Sequence, residues 1–343
     1  MNLTESLLWP VSLLYGAGAW LRVRGYRAGI FRKRRLNSVV VSVGNITTGG
    51  TGKTPMALWV AQRFAESGKK VGVLSRGYRP LPQRTDARGE AGEQRWNDEA
   101  ALIYARLGER AQMGIGASRF EKGRELEKRG VECFVLDDGF QHLQLARDVD
   151  VVMIDASKPF GGGHVLPSGR LREPVSAVGR ADVIVIHRTA ERVPAIEAVI
   201  RRYSEAPIYF SEAKFLGLEV YRGAAIADAS ASERKYFAFC GIGNPSAFFA
   251  DLKKWGISVL GYEIFRDHHR YSTDDTARLE EKASAVGADA LICTEKDIYD
   301  LPAGLTAPMA ISFCKIGLQF NDEEGLWRSI LKASESKKAG RAG

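Results

Sequence analysis

The chain has 343 residues, 45% hydrophobic and 26% charged, a balance that suits a globular protein of two domains and excludes disorder throughout. Its formal charge of +8 is concentrated: residues 1–36 carry seven Arg and Lys side chains against Glu5 alone, a net +6, which leaves the remaining body near neutral at +2. A uniformly basic nucleic-acid surface is therefore not indicated, whereas a local anionic partner for the N-terminal segment is.

Residues 6–21 are apolar and uncharged, with Trp9, Leu13, Leu14, Trp20 and Leu21, and are interrupted by Pro10, Gly16 and Gly18. The basic residues follow this run, whereas a secretory signal places them before it. The run is also short of the roughly 20 residues a spanning helix needs. It reads as an interfacial anchor whose arginine-rich flank meets anionic lipid headgroups, the alternative being a helix packed on the protein's own core.

Ser38 to Val43 is a β-branched apolar run that breaks into a Gly- and Thr-rich turn and closes on Gly52-Lys53-Thr54. Strand, loop and following helix (Met56, Ala57, Leu58, Val60) make a phosphate-cradling loop. Backbone N–H groups of Thr48, Gly49, Gly50, Thr51 and Gly52 point at an anion, Lys53 reaches the outer phosphates and the Thr54 hydroxyl serves Mg²⁺. The pattern departs from the usual one in carrying Thr47 where a glycine is expected.

Lys70 to Ser75 reads as a second buried strand, and the polar stretch Pro80 to Gln94 as an exposed loop. Trp96-Asn97-Asp98-Glu99-Ala100 opens a helix with two adjacent carboxylates, commonly dipole partners. Val131 to Leu136 is a strand ending in Asp137-Asp138-Gly139, the place for a Mg²⁺-binding acid beside a phosphate-loop strand. Strand patterns recur at Asp150 to Ile154 and Asp182 to Ile186, which argues for a parallel sheet covered on both faces. The long segment from Gly161 through Pro174, rich in Gly, Pro and Arg, suits an anionic substrate.

The character changes near Pro207. Ile208 to Val220 alternates like strands, Tyr221 to Arg234 is turn-rich, and Lys235 to Cys240 begins a second α/β unit. Gly241-Ile242-Gly243 is too short to argue for dinucleotide binding. In Asp267-His268-His269 the adjacent imidazoles point different ways on regular structure, so acid/base work or substrate contact is favoured over a metal pair. Thr294-Glu295-Lys296-Asp297 follows the strand Ala290 to Cys293 and lacks the spacing of a guanine-specific motif. The four cysteines, Cys133, Cys240, Cys293 and Cys314, form no C-x-x-C pair and read as buried free thiols.

Together these pieces resemble the lipid A 4′-kinase family, the tetraacyldisaccharide 4′-kinases of Gram-negative bacteria. The resemblance runs along nearly the whole chain and rests on Gly44-Asn45 through Thr54, Asp137 through His142, Leu171 through Pro174, Phe239 through Pro245 and Asp267-His268-His269. It implies a P-loop NTPase-like α/β fold with a parallel sheet and a second, smaller α/β domain. The expected divisions are an N-terminal membrane-associating segment (1–36), a P-loop kinase core (37–206), a two-stranded linker (207–234), a C-terminal α/β domain (235–330) and a disordered tail (331–343). It also implies transfer of the γ-phosphate of ATP, with Mg²⁺, to the 4′-hydroxyl of an acylated glucosamine disaccharide 1-phosphate, forming lipid IVA. The enzyme would be a monomer without a nucleic-acid partner, peripheral on the cytoplasmic face of the inner membrane, with residues 1–36 on its anionic lipid.

Carried onto this chain, the family's catalytic aspartate falls on Asp98 and its histidine partner on His268, with Lys53 and Asp138 beside them. Thr54, Glu99, Asp137 and Asp138 make the metal surround, and Arg119, His142, Arg172 and Glu173 fall near the substrate. The family's Gly-Asp-Glu-Pro is Asn97-Asp98-Glu99-Ala100 here. The rival readings are a membrane-associated switch ATPase without a lipid acceptor and a basic nucleic-acid-binding protein.

Overall fold

The computed structural model describes residues 3–77, 96–222, 233–302, 305 and 308–339. The elements run α1 (Leu3–Arg27), β1 (Val39–Asn45), α2 (Lys53–Glu66), β2 (Val71–Ser75), α3 (Asp98–Leu107), β3 (Ala111–Ile115), α4 (Arg119–Glu127), β4 (Cys133–Leu136), β5 (Val149–Asp155) and β6 (Val183–His187). They continue with α5 (Pro194–Arg201), β7 (Ile208–Arg222), β8 (Lys235–Cys240), α6 (Pro245–Lys254), β9 (Ser258–Ile264), α7 (Thr273–Ala285), β10 (Ala290–Thr294), α8 (Asp297–Asp300), β11 (Ile311–Phe320) and α9 (Glu323–Ala339). The chain divides into two units: the first holds residues 1–76, 106–212 and 318–343, the second 77–105 and 213–317.

In the first unit the strand order is β3-β2-β4-β1-β5-β6-β7, and the pairings given by register are all parallel. The Val and Ile runs of β5 and β6 are buried along their whole length, as strands covered on both faces must be. β1 sits between β4 and β5, so the loops leaving the carboxyl ends of β1 and β4 emerge side by side, where open α/β sheets bind ligands. α1 belongs to this unit, and Ser12 on its buried face donates to the Ser168 hydroxyl at 2.7 Å. Trp9, Leu13, Leu14, Trp20 and Leu21 of this helix are exposed, Leu14 at 75% and Leu21 at 61%. No helix among the described residues is long and apolar enough to cross a membrane.

In the second unit the order is β11-β10-β8-β9, again parallel. One apolar cluster gathers Phe239, Tyr271, Leu279, Leu291 and Phe313, and another Tyr236, Phe248, Leu252 and Ile292. All four cysteines are buried and free.

Several boundaries differ from the sequence reading. The expected two-stranded linker over 207–234 falls, in its described part, largely on the 15-residue strand β7; residues 223–232 lie outside the described residues, as does the expected loop over 80–94. Residues 331–339, expected to be disordered, continue α9, and residues 318–330 belong to the first unit rather than to a C-terminal domain. The physical reason is an apolar stripe among the charges: Leu326, Trp327 and Ile330 are buried, and Trp327 meets Phe64 edge-on at 4.9 Å. The helix is further held by the Trp59 indole N–H donating to Glu323 at 2.8 Å. Residues 340–343 are outside the described residues. Strands β3, β9 and β11 were not foreseen.

Candidate active site

The phosphate loop is built from β1 outward. Thr47 forms an antiparallel bridge with Leu171, and the Thr48 N–H donates to the Arg170 carbonyl at 2.8 Å. Extended backbone at 47 needs no glycine, which accounts for Thr47; the left-handed positions are Gly49 (φ 106) and Gly52 (φ 80). A side chain at Gly52 would also meet the His187 ring, 2.9 Å from an added Cβ. Asn45 fixes the far side of the loop, its amide donating to the Thr51 hydroxyl at 2.9 Å. α2 then starts at Lys53 with no side-chain cap and no acidic residue in its first turn, so no carboxylate of that turn competes with an anion for the positive end of the helix. Thr54 lies in that turn, buried.

Beside the loop, β4 is followed by Asp137 and Asp138. The Arg119 guanidinium is buried and donates to the carbonyls of Asp137 at 3.0 Å and Asp138 at 3.4 Å. Asp138 is thereby held at φ 48, a left-handed conformation costly for a non-glycine residue and frequent at functional sites. Its carboxylate lies 3.6 Å from the Lys53 ammonium and accepts from Arg172 at 2.8 and 2.9 Å. Burial opposes its charge, but Lys53 and Arg172 outweigh that and hold the carboxyl at about 2. Glu173 faces Arg180 at 2.8 and 2.9 Å and accepts from Gln141 at 3.1 Å; Gln141 also donates to the Asn45 carbonyl at 2.8 Å. Glu173 thus ties the 161–174 segment to β1. His142 is pushed down to about 3 by burial and by the charges of Arg119 and Arg147, so it is neutral at physiological pH.

The second unit carries the other expected residues. Asp98 is the first residue of α3 and buried. The helix start compensates for the sequence departure noted above: the Ala100 N–H, which a proline would lack, donates to the Asn97 side-chain oxygen at 3.1 Å. His268 Nδ1 lies 3.1 Å from Asp98 Oδ2, on a residue also held left-handed, φ 57. Its hydrogen bond to Asp98 outweighs burial and raises the imidazole to about 9. Burial pushes Asp98 up, but the bond from His268 and the charge of Lys296 pull it below its ordinary value. At neutral pH the pair is therefore carboxylate and imidazolium. Glu99 is bound by Lys296 at 2.6 Å, and His269 turns instead to Asp275 at 3.1 Å.

The structure thus brings Lys53, Arg119, Asp138 and Arg172 together in one unit and joins Asp98 to His268 in the other. Sequence reasoning did not single out Asn45, Gln141, Arg180 or Lys296 for these roles; for Asn45 the available signal was a polar residue closing a buried strand.

A parallel sheet with a glycine-turned phosphate loop between its central strand and a helix defines a P-loop NTPase-like α/β protein. The family model described as tetraacyldisaccharide-1-P 4′-kinase matches residues 4–335, and the chain belongs to that family. The tetraacyldisaccharide 4′-kinase of Syntrophobacter fumaroxidans is 38% identical over 330 residues, covering 93% of this chain and 85% of the relative. That of Geobacter metallireducens is 39% identical over 314 residues, covering 88% and 89%. The crystal structure of LpxK from Aquifex aeolicus in complex with ATP is similar at a TM-score of 0.70 and 26% identity, covering 96% of this chain and 99% of that one.

Proposed function

We propose that this protein transfers the γ-phosphate of ATP to the 4′-hydroxyl of a tetraacylated glucosamine disaccharide 1-phosphate, forming lipid IVA. The observation that carries the reading is the family match over residues 4–335 on a chain whose phosphate loop keeps Lys53 and Thr54.

The phosphate loop from Gly49 to Thr54 holds the triphosphate through backbone N–H groups, the Thr48 N–H, expected from the sequence to join them, being taken by the Arg170 carbonyl, and Lys53 neutralises charge on its outer phosphates. Asp98 accepts the proton of the 4′-hydroxyl as that oxygen bonds to the γ-phosphorus and the bond to the β-phosphate oxygen breaks, releasing ADP. A carboxylate held below its ordinary value is a weak base at rest. His268 compensates by fixing its orientation, so that proton transfer follows the developing P–O bond rather than preceding it. Arg119 positions Asp138 through the β4 turn. Arg172, Glu173 and His142 serve the substrate side, Glu173 by anchoring the loop.

Among the described residues no cluster of three or more His, Cys, Asp or Glu side chains is arranged for a metal. Mg²⁺ bound with a nucleotide does not need one, since it takes one or two carboxylates plus phosphate oxygens. The hard oxygen donors Thr54, Asp137 and Asp138 fit that demand and would hold it; when bound, Mg²⁺ neutralises charge on the transferring phosphoryl group. Glu99, the fourth expected ligand, is engaged by Lys296, which favours a supporting role. The exposed apolar residues of α1 and the basic residues beyond them support peripheral attachment to the anionic cytoplasmic face of the inner membrane, and we take the protein to act there as a monomer.

The test follows label from γ-labelled ATP, with Mg²⁺ and detergent, into added tetraacyl disaccharide 1-phosphate. Labelled lipid is expected; ATP hydrolysis without labelled lipid would replace the kinase with a switch-type ATPase.

A further inference from the structure

The turn that follows β10, Thr294-Glu295-Lys296-Asp297, has no part in the mechanism above, yet it reaches toward both members of the Asp98–His268 pair. Asp297 is fully buried and uses both of its oxygens. Oδ1 accepts from the Gly241 N–H at 2.8 Å and from the Tyr271 hydroxyl at 2.7 Å, while Oδ2 accepts from the Thr294 N–H at 3.2 Å and from the Thr294 hydroxyl. Gly241 in turn carries the His268 backbone, its carbonyl accepting the His268 N–H at 2.9 Å. An added Cβ at Gly241 would lie 3.0 Å from the Arg266 carbonyl oxygen and 3.1 Å from His269 Cβ, so the histidine turn rests directly on this glycine. Tyr271 closes the same turn from its other end, its N–H donating to the Asp300 carbonyl at 3.0 Å. One residue back, Lys296 grips Glu99, the neighbour of Asp98, at 2.6 Å.

We propose that Asp297 is a positioning residue for the phosphoryl transfer: through Gly241 and Tyr271 it fixes the left-handed turn that presents His268 to Asp98, while Lys296 of the same turn steadies the α3 start that carries Asp98. A non-glycine residue at φ 57 relaxes unless its surroundings over-determine it. The Gly241 and Tyr271 contacts supply that constraint from both sides of the turn. Asp297 touches no reacting atom in this account; it acts through His268. The inference rests on the reading of Asp98 and His268 as the acid/base pair.

The experiment compares the full-length wild type with Asp297→Asn and Tyr271→Phe. It records kcat, KM for ATP and the NMR titration of His268, assigned by the signal that His268→Ala removes among the five histidines. In the wild type His268 is expected to titrate near 9, raised by its hydrogen bond to Asp98. In folded Asp297→Asn it moves toward its ordinary 6.5, kcat falls by about a hundredfold, as a displacement on the order of 1 Å can cause, and KM for ATP stays within about twofold. Tyr271→Phe, which removes one hydroxyl, shows the same changes in smaller degree and decides the question if Asp297→Asn does not fold. An unmoved His268 titration in the folded variant overturns the inference whatever happens to kcat. Wild-type kcat in His268→Ala would instead sink the acid/base reading beneath it, so the two failures are distinguishable.

Discussion

His268 at neutral pH is charged because Asp98 lies 3.1 Å away, and the sign of that coupling fixes how the pair responds to pH. The imidazole is raised to about 9 from 6.5, so the stability it lends is fully present below 6.5 and is lost as pH rises through about 9. Asp98 is depressed below 3.8, so its share is present above 3.8 and is lost as pH falls through the depressed value. The gap in unfolding temperature between wild type and His268→Ala is therefore expected to be widest from about pH 5 to about pH 6.5 and to close above about pH 9. A gap that is flat across that range would contradict an ion pair. Asp138 differs in kind: held at about 2 by Lys53 and Arg172 against the opposing effect of burial, it is ionised at neutral pH. Its left-handed backbone and that of His268 are left out of sequence patterns because neither residue is a glycine. They arise from partners far along the chain, Arg119 and Gly241.

α1 shows how far a single element can be read. Its buried side is narrow, Ser12 against Ser168, and the exposed side carries Trp9, Leu13, Leu14, Trp20 and Leu21. Leu14→Glu with Leu21→Glu should therefore leave the fold intact and weaken binding to anionic vesicles by at least about tenfold, since each buried leucine contributes roughly 1.5–3 kcal/mol. Flotation with vesicles of anionic lipid measures this, and undiminished binding would assign α1 to the protein's own surface. β1, β2, β4, β5 and β6 were legible because each is a short run dominated by buried apolar residues, rich in Val. β9 was not, because Leu260, Tyr262 and Ile264 all fall on its exposed side, which inverts the usual alternation. β3 hides for another reason, its five residues including a glutamine and a glycine. α9 was read as tail because its many charges mask the stripe Leu326, Trp327 and Ile330.

At the scale of the molecule, the order of the phosphate-loop strand and its main neighbours was readable but the membership of the units was not. The second unit takes residues 77–105 from the middle of the first unit's sequence, and the first reclaims residues 318–343 at the end. Such exchanges are set by packing between distant segments, which no local periodicity reports. Lys53 and Asp138 consequently belong to one unit and Asp98 and His268 to the other, and the phosphate loop could be read from spacing alone while the Asp98–His268 pair needed the family resemblance. In the proposed mechanism Asp98 and His268 act as one device on the acceptor hydroxyl. The most direct measurement is kcat for lipid phosphorylation by Asp98→Ala, His268→Ala and the double variant, each shown to be folded. Each single change is expected to lower kcat by about a hundredfold or more, and the double to be slower than Asp98→Ala by no more than about threefold. Near wild-type turnover in Asp98→Ala, or losses that multiply in the double variant, would contradict that mechanism.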